Sequence, residues 1–205
     1  MKGIVKRVWK MIKPFNEEAV PELIGIIGTG RGTGVTHFAV MTAGYLSGVM
    51  RIRCAVLEWN NHESFHAMGA VCCGEKKGEN SFRVFETDYF SKAGIDTLLL
   101  CKKSGYQAVI VDYGTAEEGN LGEFFRCGRQ LVIGSLSEWQ INEFLEFEKR
   151  EIKAERSWDS LVSFGSEEAR KSLEKRLKVP VRRIPFSTDP FSVTAEIISF
   201  YEQLF

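Results

Sequence analysis

The chain has 205 residues, enough for one domain with a single substantial core, and its 44% hydrophobic and 26% charged residues are globular values. Lysine plus arginine and aspartate plus glutamate number 27 each, so no net charge draws the chain to nucleic acid and no nucleic-acid partner is expected. Five cysteines, Cys54, Cys72, Cys73, Cys101 and Cys127, form an odd set without ligand-like spacing, which points to reduced structural thiols in a cytoplasmic protein. No apolar run approaches the roughly 20 residues of a membrane span, and the start lacks the apolar centre of a signal peptide.

Residues 1–15 differ in character from the rest. At helical spacing Ile4, Val5, Val8, Trp9, Met11 and Ile12 share one side, and Lys2, Lys6, Arg7, Lys10 and Lys13 fill the other. This predicts a basic amphipathic helix over residues 1–13, ended by Pro14. Such a helix docks on an anionic membrane surface, placing the protein at the inner face of the membrane, or in a partner groove, or packs on its own domain. The neutral total therefore hides a basic start and an acidic remainder. Residues 16–205 then read as one domain, opening with a short acidic linker.

Ile24–His37 follows as an apolar strand pouring into Gly28, Gly30, Gly32 and Gly34, with an apolar helix from Thr36 to Leu46. A glycine loop of this kind leaves N–H groups converging at a helix N-terminus, where the helix dipole favours an anion. Where a phosphate loop places its lysine, however, stands Val35. The next strand, Arg51–Glu58, brings Glu58 and Asn60 to its carboxyl end, where they are expected to overlook the loop or to serve as turn residues. Gly69–Ser81 reads as a mobile surface loop, Phe82–Glu86 as a short edge strand, and Ser91 as the cap of a helix reaching Gly105 with Leu98, Leu99 and Leu100 toward the core.

Gln107–Gly114 is an apolar strand ending in Asp112, a carboxylate placed to hold Mg²⁺ or its coordinated water, or to favour the following turn. A helix over Glu117–Arg126, a strand over Gln130–Gly134 and a capping box Ser137/Gln140 opening a helix to about Arg156 come next. Strands over Asp159–Phe164 and Val179–Pro185 flank a helix capped by Ser166, and Asp189-Pro190 is expected to start the last helix, to Leu204. The alternation predicts an α/β fold, a three-layer, doubly wound and mostly parallel sheet. Trp139, Trp158 and the phenylalanines read as packing, and His62 and His66, one turn apart but without a third ligand, as unligated.

The strand ends GTGRGTGVTH, LEWNN and VIVDYG, in that order, resemble the ParA/MinD branch of P-loop proteins. Laid on that family's K-G-G-x-G-K-T-[ST] loop, Gly32, Gly34 and Thr36 match. Gly30 stands at the signature lysine, Val35 at the phosphate lysine, Arg31 at a glycine, Thr33 at the variable position and His37 at a small hydroxyl residue. Asn60 falls on the aspartate that orients attacking water, and Asp112 on the Walker-B aspartate. The resemblance is greatest to the degenerate members associated with tight-adherence pilus assembly, TadZ or CpaE, which act as polar localisation factors.

It implies a degenerate loop and a pseudo-ATPase docking or positioning factor, with no cofactor expected. The alternative is an ATP/Mg switch in which Arg31 stands in for the missing lysines and Thr36 and Asp112 hold Mg²⁺. A dinucleotide-binding enzyme with Glu58 on a ribose is the third reading, weakened because G-x-G-x-x-G fails at Thr33. The family dimerises across its nucleotide face, so a protein partner or a homodimer is implied, with Arg31, His37 and the Trp59-Asn60 tip left to make the contact.

Overall fold

A computed structural model describes residues 20–74, 80–152 and 158–205. The helix expected over residues 1–13 lies outside these residues. Four apolar runs make the centre of the sheet: β1 (Glu22–Gly28), β2 (Cys54–Glu58), β5 (Ala108–Thr115) and β6 (Arg129–Gly134). Around them stand β3 (Ser81–Val84), β4 (Thr87–Phe90), β7 (Asp159–Val162) and β8 (Val181–Arg183), in the spatial order β3-β4-β2-β5-β1-β6-β7-β8. Every pairing is parallel except the β3/β4 hairpin at one edge.

Because strand side chains alternate, each central strand feeds two cores. Ile24, Ile26, Val56, Ile110 and Ile133 face a core shared with α1 (Val35–Gly44), α2 (Ser64–Cys73) and α7 (Ala195–Leu204). Ile27, Leu57, Val109, Val111 and Val132 face the other, under α3 (Ile95–Lys103), α4 (Leu121–Phe124), α5 (Ile141–Ile152) and α6 (Glu167–Leu177). This is the three-layer, doubly wound architecture expected from the alternation of strands and helices. Helix α1 is buried on nearly all sides, since Tyr201 of α7 stacks on Tyr45 at 4.8 Å and meets the Thr42 hydroxyl at 2.9 Å. Its end widens into a π-helical turn, Tyr45–Val49.

Several boundaries differ from expectation. Gly69–Cys73 is the second half of α2 rather than loop, with Gly69 packed under the Phe82 ring. The expected edge strand is a hairpin, and Ser91 seals it through bonds from its N–H and Oγ to the Asn80 carbonyl. Ser91 is thus unavailable as a cap, and α3 starts after Gly94. Only Leu98 of the three leucines is buried, since successive helical side chains point about 100° apart. Helix α4 is short because Gly119 turns tightly back on Thr115 and Asn120 then caps a single helical turn. Helix α5 begins after Gln140 rather than at Ser137. Ser166 caps α6 as expected, its oxygen accepting from the Ala169 N–H at 3.1 Å.

Asp189 closes a turn on the Phe191 N–H at 2.9 Å, and α7 begins instead at Thr194, whose hydroxyl accepts from the Ile197 N–H. Thr194→Ala is therefore expected to lower stability by about 1 kcal/mol. The loss is read as a lower urea midpoint at unchanged slope. Asp189→Ala, which removes only a turn, is expected to lower it less. The reverse order would return the helix start to Asp189-Pro190.

Candidate functional site

The carboxyl ends of β1, β2 and β5 meet where the sequence concentrates its glycines and polar residues. Between β1 and α1 the loop makes two left-handed steps, at Gly32 (φ 74°) and Gly34 (φ 91°), which a side chain would strain. Gly34 opens α1 without any side-chain cap, and α1 carries no acid in its first turn. The first N–H groups of the helix thus remain a potential anion site.

The side chains of the loop work against that use. Val35 turns inward and joins the core at 7% exposure. Thr33 is buried, and its hydroxyl donates to the Gly30 carbonyl across the loop at 3.1 Å. The start of α5 and the residue before it lie against the loop: the Gln140 amide donates to the Arg31 carbonyl at 2.7 Å, and the Glu143 carboxylate lies so near Gly30 that it would have to move aside for a Cβ there. Arg31, the one strong base between Gly28 and Thr36, is ion-paired to Glu118.

Asp112 is the hub. It has no solvent exposure. One carboxylate oxygen accepts from the Thr36 hydroxyl at 2.7 Å, and the other from the Gly114 N–H at 2.9 Å and the Asn60 amide at 3.0 Å. Asn60 also donates to the Asp112 carbonyl, and its own oxygen accepts from the His62 N–H. Burial pushes the Asp112 carboxyl above its ordinary range, and the Thr36 and Gly114 donors oppose it. His62 continues the chain of contacts to Glu118 at 3.1 Å, where Arg31 also ends. The Arg31 and His62 contacts hold the Glu118 carboxyl below the usual range. An open cleft of about 570 Å³ lies alongside, walled by Trp59, Asn60, Lys92, Glu118 and Asn120.

The structure thus brings together Gly30, Arg31, Gly32, Thr33, Gly34, Val35, Thr36, Asn60 and Asp112 of the expected set. It separates two. Glu58 turns inward: fully buried, its Oε1 accepts the Phe65 N–H at 3.2 Å and so serves the uncapped start of α2, while its Oε2 has no hydrogen-bond partner. His37 turns toward the Ser187 backbone and Asp189, and burial lowers its pKa. It is therefore absent from the face where Arg31 stands. Trp139, read as packing, is 79% exposed beside the loop. Among the described residues no group of three or more His, Cys, Asp or Glu could hold a metal.

Glu118 and Glu143 were missed, because nothing in the local pattern ties a residue of the β5–α4 turn or of α5 to the glycine loop. Gln140 carried a visible signal, as a capping-box partner: its oxygen accepts from the Ser137 hydroxyl at 3.3 Å, while its amide donates to the Arg31 carbonyl.

No protein-family model matches the sequence, and no curated protein does. Among solved structures, a plasmid partition protein from Borrelia burgdorferi bound to AMPPNP is similar at TM-score 0.64 with 14% identity over 91% of this chain and 97% of that one. A ParA family ATPase from Chlorobium tepidum gives 0.59 with 15% identity over 82% and 85%. The MinD cell division protein of Aquifex aeolicus gives 0.58 with 11% identity over 89% and 86%. At these identities the likeness establishes the fold, and that fold is the ParA/MinD-like P-loop fold.

The Glu58 carboxyl is raised from its ordinary value chiefly by burial, with the Phe65 and Ser64 N–H groups opposing. A raised acid stabilises the fold most below its unfolded pKa and loses that contribution as pH rises through the folded one. Glu58→Gln should remove this loss: its stability relative to wild type, from urea unfolding at pH 4 and pH 8, should rise with pH. A constant difference between the two proteins would mean that Glu58 ionises without penalty.

Proposed function

We propose that this chain uses its ParA/MinD-like fold as a docking or positioning module, a pseudo-ATPase rather than a nucleotide hydrolase. The observation that carries this is the charge pattern of the loop: Val35 in the core, a carboxylate on Gly30 and Arg31 committed to Glu118. Phosphoryl transfer depends mainly on preorganised positive charge around the phosphates, and the residues present do not fit that demand. Asn60, an amide where the family has its water-orienting carboxylate, is spent on holding Asp112. The resemblance to TadZ and CpaE makes pilus assembly or polar localisation the process we assign to it.

A second reading, nucleotide binding with Arg31 in place of the lysines, is favoured by the uncapped start of α1 and by the Thr36–Asp112 pair, suited to a Mg²⁺ site. It requires Arg31 to leave Glu118. Removing one positive clamp from such a site costs on the order of several kcal/mol in the transition state, a thousandfold or more in rate.

Calorimetry with ATP, ADP and NAD is expected to show no saturable binding, and ATP turnover to stay at background. Val35→Lys is expected to raise ATP affinity roughly tenfold or more, as a hydrogen bond to a charged group does. Turnover by wild type that Asp112→Asn abolishes would establish the second reading. No gain with Val35→Lys would make the loop a structural turn.

The docking surface is the face around the loop, with Arg31 and the Trp59-Asn60 tip as contacts, and a homodimer through it needs no phosphate bridge. Light scattering is expected to give the same dimer mass with and without ATP, and a monomer for Arg31→Glu. A monomer in every sample would leave a heterologous protein as the partner, whereas a dimer seen only with ATP would favour the switch.

A further inference from the structure

The open cleft of about 570 Å³ beside the loop takes its walls from three separate turns: residues 59–63 after β2, 92–93 after β4 and 118–120 after β5. Each turn is fixed to its neighbours. The Trp59 N–H donates to the Asp112 carbonyl and the Ala93 N–H to the Glu58 carbonyl, both at 2.9 Å. The Trp59 indole leans on Tyr113 with ring centroids 5.7 Å apart, and the Asn120 oxygen accepts the Glu123 N–H at 3.1 Å. Two wall residues other than glycine hold left-handed backbone, Glu63 (φ 57°) and Lys92 (φ 51°), a conformation that costs energy and gathers at binding sites. Their side chains join the first two turns, Lys92 Nζ lying 3.0 Å from Glu63 Oε1.

Which groups of the walls are already spent decides what they offer a ligand. Glu63 is paired with Lys92, and Glu118 with Arg31 and His62. Asn60 spends its amide on Asp112 and its oxygen on the His62 N–H. The wall groups left without a hydrogen bond among the described residues are neutral: the half-buried Trp59 indole N–H, the exposed Asn61 carboxamide and the Asn120 amide nitrogen.

A cationic ligand would have to break one of the ion pairs, and an anionic one would face both Glu63 and Glu118. An apolar one would strand the carboxamides. A neutral ring bearing hydroxyl groups breaks nothing. A hydroxyl donates and accepts at once, so it can lie against the Lys92–Glu63 pair, giving to the carboxylate and taking from the ammonium, while a carboxamide serves the next hydroxyl in the same two ways. The indole adds a flat apolar plate for the C–H face of such a ring, and the volume is within the range of small-ligand sites.

We infer that this cleft binds a neutral sugar ring, stacked on Trp59, hydrogen-bonded by Asn61 and Asn120, and with the Lys92–Glu63 pair against its hydroxyls. The cleft belongs to one chain and needs neither nucleotide nor a second copy, so sugar binding is a property separate from docking through the loop face.

Titration of the full chain with glucose, galactose and N-acetylglucosamine tests this, followed by the NMR signal of the Trp59 indole N–H, which is identified by its absence from Trp59→Phe. At least one of the three is expected to shift that signal saturably, with a dissociation constant on the order of 1 mM, as befits a ring held by one stack and a few hydrogen bonds in an open cleft. Asn120→Asp keeps the oxygen that the Glu123 N–H needs and exchanges the free amide for an acceptor, and Asn61→Ala removes an exposed side chain that has no partner among the described residues. Each should weaken the binding of that sugar about tenfold or more, with thermal unfolding as in wild type. No shift with any of the three sugars up to about 100 mM would overturn the proposal. So would a shift that both variants keep, or one produced as strongly by adenine, spermidine or citrate, which would make the cleft a site for a nucleobase, a cation or an anion instead.

Discussion

A carboxylate shut away from water must be met by hydrogen-bond donors or carry a proton, and Asp112 draws three donors, from Thr36, Asn60 and Gly114. Those donors come from three different segments: the start of α1, the turn after β2, and the β5 end itself. Their positions are therefore set jointly. The glycine loop can hold its two left-handed steps because α1 is fixed at both ends, by Asp112 at its start and by the stacked Tyr45 and Tyr201 at its close. The same constraint explains why Asn60 is rigidly placed although it lies in a turn. An amide at that position suits the buried carboxylate, because a second carboxylate against Asp112 would repel it.

The contact network around the hub runs outward to solvent in a single direction. From Asn60 it passes through His62 to Glu118 and ends on Arg31. The loop's only strong cation is thereby drawn away from the concave side of the loop and toward the β5–α4 turn. On the opposite flank, Gln140 just before α5 supplies an amide and Glu143 of α5 a carboxylate. The glycine loop thus sits between two acidic flanks, and its remaining attraction for an anion is the backbone of α1. This balance of fixed charge, more than the loss of any single lysine, is what distinguishes the site from one built for phosphate.

Much of the architecture was legible because β1, β2, β5 and β6 are buried on both faces, and strands of that kind announce themselves as continuous apolar runs. Of the β3/β4 hairpin only an edge strand was legible, since β4 is short and follows β3 after a two-residue turn without a glycine or proline to mark it. Caps were misjudged where a polar side chain had two local uses: Ser91 closes the hairpin and Asp189 closes a turn, and in both cases the helix begins a few residues later. Asp112, Thr36 and Asn60 could be placed together from strand order alone, because parallel sheets gather their carboxyl ends. Glu58 could not be told from them. Its strand position is equivalent, and only the unmet N–H groups of α2 decide where its carboxylate turns.

The contact between Glu143 and Gly30 bears on how the loop would respond to an added charge. A lysine placed at Gly30 would meet the Glu143 carboxylate first, and the pair would neutralise each other within one chain. That single substitution would therefore add little positive charge for a bound phosphate. An anion at the loop would need the Glu143 side chain to swing away as well, so the fixed charge of the loop is set from α5 as much as from the loop itself.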